Sequence, residues 1–221
     1  MPNIPWTRVS TYNNFTPTAF TGCTLWLDAA DSSSISTTSG NVTQWRDKSG
    51  NANHTTAGTG QPTYTSPFVV FGGSAQLILP LVFSTDWSIF VVAKTTQTTG
   101  TSGQQWWAGA GLFDAEVSSP VNDYGMSLVG GFLATGVGSS DTTIQSASAV
   151  IGYVNGVSVS TATATKQWPT TVYITTGGQT HPNTIFTGRI GAFKVYNSVL
   201  SAADIRQNYN ALAERYGLGL I

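Results

Sequence analysis

Short apolar or alternating segments, each closed by turn-forming residues, recur along this chain from about residue 24 to residue 196. Segments this short are typical of β-strands rather than of the longer helices of globular proteins. One of them, Trp87 to Ala93, is almost entirely apolar and predicts a central strand that is covered on both faces. The predicted strands are Leu25 to Asp28, Val42 to Trp45, Phe68 to Phe71, Gln76 to Phe83, Trp87 to Ala93, Thr171 to Thr176 and Arg189 to Tyr196.

Two dipeptides in the second half of the chain predict β-hairpins. Gly130-Gly131 separates the segments 126–129 and 132–135, and Asn155-Gly156 separates the segments 151–154 and 157–160. Both dipeptides tolerate the positive φ angles that two-residue hairpin turns require. With these hairpins the sequence predicts about eleven or twelve strands.

The pattern changes to a helical period only near the end of the chain. Ser201 and Asp204 form a variant of the capping box and predict a helix start. Gly217 is a suitable residue to end that helix. One face of the predicted helix carries Ile205, Tyr209, Leu212 and Tyr216.

Composition supports an all-β protein. Only 9% of the residues are charged, which is too few for the solvated faces of a helical bundle, whereas Thr, Ser and Gly are abundant. We therefore predict one antiparallel β-sandwich domain over residues 23–221, with one C-terminal helix.

Residues 1–22 differ from this domain and predict an extended arm, because prolines remove donors from a sheet. Aromatic side chains in a segment too short to form its own core need a surface to pack on. That surface is either the domain itself or a neighbouring subunit, and both alternatives stay open. The aromatic residues of the arm are Trp6, Tyr12, Phe15 and Phe20.

Charge and hydropathy exclude several classes of function. The formal net charge is −1, so we expect no nucleic-acid partner. No apolar stretch approaches the length of a membrane span, and we expect neither a membrane partner nor a secretory leader. Cys23 is the single cysteine, which excludes an internal disulfide and predicts a small buried side chain.

Several motifs resemble a known family. They are Leu25 to Asp31, Val42 to His54, Gln61 to Tyr64, Gly188 to Asn197 and Leu212 to Leu218. Together they are similar to the concanavalin A-like and laminin-G-like jelly-roll domains of bacterial surface proteins and of phage and large-virus structural proteins. The resemblance covers roughly residues 24–218 and implies a jelly-roll fold. Unlike many relatives, this chain shows no Trp-His-His-type strand before Tyr153, and the arm lies outside the resemblance.

Catalytic residues are not evident. Hydrolases of the laminarinase type carry Glu-x-Asp-x-x-Glu on one strand, whereas this chain has only Glu116 and Glu214. Asp114 and Glu116 would share one strand face, which predicts a feature of the rim rather than a catalytic pair. His54 and His181 are predicted on loop surfaces without a neighbouring nucleophile. We expect no enzyme activity.

Loop carboxylates and amides offer weak candidates for a calcium site, and we predict no other cofactor. The candidate pairs are Asp28 with Asp31, Asp47 with Asn51, and Asn122 with Asp123. None of these loops has the dense acidic spacing of a strong calcium site, and Asp47 is better explained as a residue that caps a turn.

Sugar binding requires exposed aromatic rings. Trp106 and Trp107 follow a long Thr/Gly/Ser loop, and at least one of two adjacent strand residues faces outward. Trp168, beside a proline, is a further candidate for glycan contact. The strand patterns around the remaining candidates predict that they belong to the core; these are Trp26, Trp45 and Trp87.

The combination of arm, low charge and family resemblance predicts a non-catalytic structural protein of a virus particle, such as a capsid decoration, cement or minor structural subunit of a tailed phage. Its location would be the particle surface, and its partners a major capsid or tail protein, with self-association. The alternative is a carbohydrate-binding or adhesion module that recognises a host surface polysaccharide.

Overall fold

The computed structural model of the protein describes residues 16–80, 82, 87–98, 109–114, 124–130, 132–137, 150–154, 157–162, 172–174 and 186–218. Within these residues the chain forms antiparallel strands and one α-helix, α1 (Ala202–Tyr216). The strands are β1 (Cys23–Asp28), β2 (Ile35–Thr38), β3 (Asn41–Trp45), β4 (Thr56–Ala57), β5 (Thr63–Thr65), β6 (Phe68–Phe71), β7 (Leu77–Leu79), β8 (Ser88–Lys94), β9 (Ala110–Asp114), β10 (Tyr124–Val129), β11 (Phe132–Val137), β12 (Val150–Val154), β13 (Val157–Ala162), β14 (Val172–Ile174) and β15 (Gly188–Tyr196).

Two sheets contain most of these strands. Sheet A has the order β1-β15-β6-β5-β3-β2, and β8, which lies off this path, also pairs with β15. Sheet B has the order β11-β10-β9-β14-β7-β4, and β12 pairs with β13 as a separate hairpin. Every pairing described is antiparallel. The predicted all-β sandwich with one C-terminal helix is therefore confirmed.

The main core lies between the two sheets. Alternate residues of the strands of sheet A, such as Leu25, Leu27 and Phe193, are fully buried against Leu77 and Phe113 of sheet B. This alternation follows from the pleat of a strand, which turns successive side chains to opposite faces. The apolar positions read from the sequence are the positions that form this core.

Strand β8 is covered on both faces, as its sequence predicts, but it is not the predicted central strand, since within the described residues it pairs with β15 alone. Ile89 and Val91 pack against the main core, whereas Phe90 and Val92 belong to a second apolar cluster with Leu212 of α1. The helix thus covers part of the outer face of sheet A. This second layer explains why β8 lacks the polar alternation of a strand with one solvated face.

Both ends of α1 match the sequence prediction. The Ser201 hydroxyl accepts a hydrogen bond from the backbone N–H of Asp204 at 3.2 Å, and Asp204 Oδ2 accepts one from the backbone N–H of Ser201 at 3.2 Å. The helix ends at Gly217, whose φ of 67° lies in the left-handed region that favours glycine.

Both predicted hairpins are present. Val129 pairs with Phe132 in one, and Val154 pairs with Val157 in the other. These registers leave two residues in each turn, in agreement with the turn dipeptides.

The sequence prediction and the structure differ at several strands. The strand predicted from Gln76 to Phe83 is only Leu77–Leu79, because Pro80 follows and cannot donate to a ladder. Strands β2, β4 and β5 were not predicted. The sequence of β2 is mostly Ser and Thr, and β2 lies at the edge of sheet A. Edge strands need fewer apolar residues than central ones.

Residues 16–22 pack on the domain that follows them. Pro17 is buried in a short 3₁₀ turn, and the ring of Phe20 meets the ring of Tyr196 edge-on with a centroid distance of 6.3 Å. The backbone N–H of Asn197 donates to the carbonyl of Gly22 at 2.8 Å. The intramolecular alternative therefore applies to this part of the predicted arm, while Trp6, Tyr12 and Phe15 lie outside the described residues.

No helix in the described part of the chain is long and apolar enough to cross a membrane.

Candidate functional site

A buried carboxylate, Asp28, lies at the end of β1 with 1% of its surface exposed. The guanidinium of Arg215 contacts both of its oxygens, with Nη2 at 2.7 Å from Oδ2 and Nε at 2.9 Å from Oδ1. The Tyr216 hydroxyl lies 2.8 Å from Oδ1, and Lys48 Nζ lies 3.4 Å from Oδ2. This forked arrangement is the strong geometry of an arginine–carboxylate pair.

Asp31 is the second acid of this cluster and is more exposed. Lys48 Nζ lies 2.6 Å from its Oδ2, so a single ammonium bridges Asp28 and Asp31. Hydrogen bonds from Lys48 and Ser33 lower the pKa of Asp31 to about 2. The same ammonium lies 4.4 Å from the centroid of the Trp26 ring, a cation–π contact.

These contacts show what the cluster does chemically. The oxygens of Asp28 and Asp31 pair with the cations of Lys48 and Arg215. In the part of the chain that the structure describes, no group of three or more His, Cys, Asp or Glu side chains could hold a metal ion. The cluster joins β1 to the end of α1, whereas Asp123, the remaining calcium candidate, lies outside the described residues.

Asp47 caps a turn, as the sequence predicts. Its Oδ1 accepts hydrogen bonds from the backbone N–H groups of Trp26 at 2.9 Å and Ser49 at 2.8 Å. Its Oδ2 accepts from the Asn53 N–H at 3.0 Å, and His54 Nδ1 accepts from the Asp47 N–H at 3.0 Å. The loop after β3 is thereby fastened to β1, and the Asp47 carboxylate and the His54 imidazole both accept hydrogen bonds from backbone N–H groups.

The predicted core tryptophans divide into two groups. Trp45 is fully buried, and Trp87 is half-buried against the main core. Trp26 is on the outer face of sheet A, so its assignment to the core was wrong. Because Leu25 and Leu27 face the core, the residue between them must face outward, where Lys48 covers its ring.

The predicted glycan-binding residues, Trp106, Trp107 and Trp168, lie outside the described residues. The same holds for Glu116 and His181. Asp114 is the last residue of β9 and pairs in register with Gly125 and Tyr173.

A buried lysine is a feature that the sequence analysis missed. Lys194 of β15 pairs in register with Trp26 and has 2% of its surface exposed. Its Nζ lies 3.5 Å from Oδ1 of Asn208 in α1, and burial lowers the pKa of its ammonium to about 7. The only sequence signal is a lysine inside an apolar strand, which ordinarily indicates a solvated edge.

Cys23 is half-buried at the start of β1, whereas the sequence predicts a buried side chain there. Burial raises the pKa of its thiol to about 11. A thiol with so high a pKa carries little thiolate at neutral pH and is a poor nucleophile.

A shallow depression of about 420 Å³ lies at the start of α1 and is lined by Ala202, Ala203, Arg206 and Gln207. Of these four side chains, Arg206 is the charged one and none is aromatic.

The comparison with family models agrees with the observed fold. Residues 135–206 match the model described as the concanavalin A-like lectin/glucanases superfamily. The resemblance to concanavalin A-like and laminin-G-like domains is therefore confirmed. No curated protein matches the chain in sequence.

Solved structures with the same fold include proteins that bind carbohydrate. Trypanosoma rangeli sialidase in complex with sialic acid is 14% identical, with a TM-score of 0.60 over 88% of this chain and 33% of that chain. A structure of botulinum neurotoxin type C, whose cell entry is described as dependent on two ganglioside molecules, is 15% identical, with a TM-score of 0.57 over 86% of this chain and 51% of that chain.

Domain 4 of AbnA, an extracellular arabinanase from Geobacillus stearothermophilus in complex with arabinotriose, is 17% identical. Its TM-score is 0.54, over 85% of this chain and 98% of that domain. This chain thus spans about a third of the sialidase and half of the toxin chain, but nearly all of the arabinanase domain. These similarities establish the lectin-like β-sandwich fold.

Proposed function

We propose that this chain is a non-catalytic carbohydrate-binding domain. The observation that carries the proposal is its similarity to a whole domain, domain 4 of the arabinanase, which is matched over 98% of its length and was solved with arabinotriose bound. The toxin and sialidase structures, described with gangliosides and sialic acid, add support.

The described polar groups agree with binding rather than turnover. Asp28 and Asp31 are paired with cations, Asp47 accepts backbone hydrogen bonds, and Asp204 caps α1. A general acid or nucleophile needs a carboxylate that can reach a substrate. Each of these four acids is instead engaged by groups of its own chain.

Trp106, Trp107 and Trp168 remain our proposed sugar-stacking residues. A glycan array with Trp106→Ala and Trp107→Ala tests them, and we expect weaker binding because a ring that stacks on a sugar contributes apolar contact area. Val199→Ala is the control, since Val199 is 67% exposed and lies outside the proposed site. Unchanged binding by both tryptophan variants would remove them from the site.

A structural role on a virus particle is the second candidate, and its support is the sequence resemblance together with the arm. It is tested by the incorporation of a chain that begins at residue 16 into particles. The cut is placed there because residues 16–22 pack on the domain, and a longer deletion would also remove Phe20 from its contact with Tyr196. Incorporation equal to that of the whole chain would contradict anchoring by the arm.

A further inference from the structure

We propose that a row of side chains across the outer face of sheet A binds a carboxylated sugar, with Arg189 and Lys94 holding its carboxylate. This inference rests on the proposed carbohydrate-binding function and specifies the class of glycan. The row consists of Thr38, Asn41, Thr63, Val70, Arg189 and Lys94.

The strand register places these residues in one line. Thr38 pairs with Asn41, Asn41 with Thr63, and Thr63 with Val70. Val70 then pairs with Arg189, and Arg189 with Lys94. Directly paired residues lie on the same face of a sheet, so the row crosses six strands and extends for roughly 24 Å.

The row lies on the face opposite to the core. Val69 and Phe71, the neighbours of Val70 along β6, are buried in the main core, which places Val70 on the outer face. Thr38, Thr63, Arg189 and Lys94 are exposed, and Asn41 and Val70 are half-buried.

Helix α1 borders the row without covering it. Phe68 and Val92 lie two residues along their strands from Val70 and Lys94, and both contact α1 through Tyr216 and Leu212. The exposed side chains of the row therefore lie beside α1, and this arrangement suits an extended chain of sugars.

Two positive charges face each other at one end of the row. Arg189 and Lys94 are direct cross-strand partners, and like charges in that position are unfavourable. Within the described residues, the ion pairs are those of Lys48 with Asp28 and Asp31 and of Arg215 with Asp28, and none involves Arg189 or Lys94. A bound anion would relieve this repulsion.

The chemistry of the row selects the ligand. The planar guanidinium of Arg189 suits a carboxylate, and Lys94 adds a second charge-assisted donor. Thr38, Asn41 and Thr63 offer the hydroxyl and amide groups that hydrogen-bond to sugar hydroxyls, while Val70 provides an apolar surface. A net charge of −1 and the absence of a run of cations make a long polyphosphate a poor match.

The test measures binding of the whole chain to polygalacturonate, polysialic acid, heparin and neutral arabinan by affinity electrophoresis and calorimetry. We expect binding to the two carboxylated polymers that weakens as salt increases. The double variant Arg189→Gln/Lys94→Gln should bind them about tenfold more weakly, as expected for the loss of charge-assisted hydrogen bonds.

A matched double variant, Arg46→Gln/Arg206→Gln, removes two exposed charges away from the row and should bind like the wild type. Urea unfolding at low salt provides a second measurement. Lys94→Gln should unfold at a slightly higher urea concentration than the wild type, because it relieves the repulsion from Arg189.

The possible outcomes separate this inference from the proposed function. Binding to arabinan alone, preference for heparin alone, or loss of binding only in the Arg46/Arg206 variant would overturn the carboxylate site and leave carbohydrate binding intact. Failure of the wild type to bind any of the four polymers and any glycan on the array would overturn both.

Discussion

At the scale of single residues, burial decides the importance of a charge. Asp28 and Asp31 share the ammonium of Lys48, yet the exposed fractions of their side chains are 1% and 30%. A buried carboxylate depends on the hydrogen bonds and ion pairs that its own chain supplies, whereas an exposed carboxylate is also solvated by water. An aspartate-to-asparagine substitution at each of the two positions therefore separates the effect of burial on stability from the effect of pairing with Lys48.

Asp28→Asn should lower the free energy of unfolding by about 3 kcal/mol, because it removes the buried carboxylate that accepts charge-assisted hydrogen bonds from Arg215 and a hydrogen bond from Tyr216. Asp31→Asn, the matched control, should lower it by less than about 1 kcal/mol. Urea unfolding curves of the two variants and the wild type measure both values. Equal losses would mean that the cluster does not depend on the burial of Asp28.

Lys194 gives the molecule a predictable pH dependence. Burial lowers the pKa of Lys194 from 10.5 to about 7, so at pH values above 7 the folded chain releases a proton that the unfolded chain retains. Stability then rises with pH, since the unfolded state binds more protons. Below pH 7 Lys194 is protonated in both the folded and the unfolded chain, so the full free-energy cost of burying its charge lowers the stability.

The measurement compares the wild type with Lys194→Met by urea unfolding between pH 7 and pH 9. The thiol of Cys23, whose pKa is raised from 9.0 to about 11, affects the pH dependence of stability above this range. The difference in unfolding free energy should shift in favour of the wild type as pH rises. Val199→Met, at an exposed residue that does not titrate, is the control and should show no such trend. A flat difference for Lys194→Met would contradict the lowered pKa.

At the scale of elements, the contact between β15 and α1 depends on a glycine. A Cβ atom added at Gly191 would lie 2.4 Å from a ring carbon of Tyr216, and the Tyr216 hydroxyl also contacts the Gly191 carbonyl. The strand register shifts at this point, between Ile190 and Ala192. Only a residue without a side chain lets the helix approach the strand so closely.

Gly191→Ala should therefore destabilise the protein by about 1–3 kcal/mol, as is usual for overpacking. Gly72→Ala is the matched control, since its added Cβ meets nothing within 4 Å, and it should be neutral or slightly stabilising. Thermal unfolding followed by near-ultraviolet circular dichroism would report both stability and the packing of Tyr216. A neutral Gly191→Ala would show that the helix shifts without loss.

At the scale of the whole molecule, the two ends of the described chain meet on one face of sheet A. Pro17 is buried beside Tyr196, whose hydroxyl donates to Asn208 Oδ1 at 2.8 Å and lies 3.3 Å from the Pro17 carbonyl oxygen. Residues 16–22 thus extend the cover that α1 provides. Residues 16–22 and α1, which are far apart in the sequence, therefore both cover the outer face of sheet A.

A chain that begins at residue 16 should be more stable than one that begins at residue 23 by about 2 kcal/mol, the value expected for the buried apolar surface of Pro17 and Phe20. Unfolding midpoints in urea for the two chains measure this difference. Identical midpoints would show that residues 16–22 lie on the domain without stabilising it.

Local features were determined by the sequence alone. The strand alternation, both hairpins, the capping box of Ser201 and Asp204 and the end of α1 at Gly217 were all predicted correctly. In each case the physical cause lies within a few residues of its effect: the pleat of a strand, the φ angles of a turn or the unpaired N–H groups of a helix start.

Only the tertiary structure decided which distant residues meet. The pairing of Asp28 with Arg215, the burial of Lys194 and the outward position of Trp26 depend on how β1, β15 and α1 are stacked. The row that ends at Arg189 and Lys94 likewise depends on the register of six strands. Local sequence specifies the face of each strand, but the partner across that strand is selected by the packing of the whole sandwich.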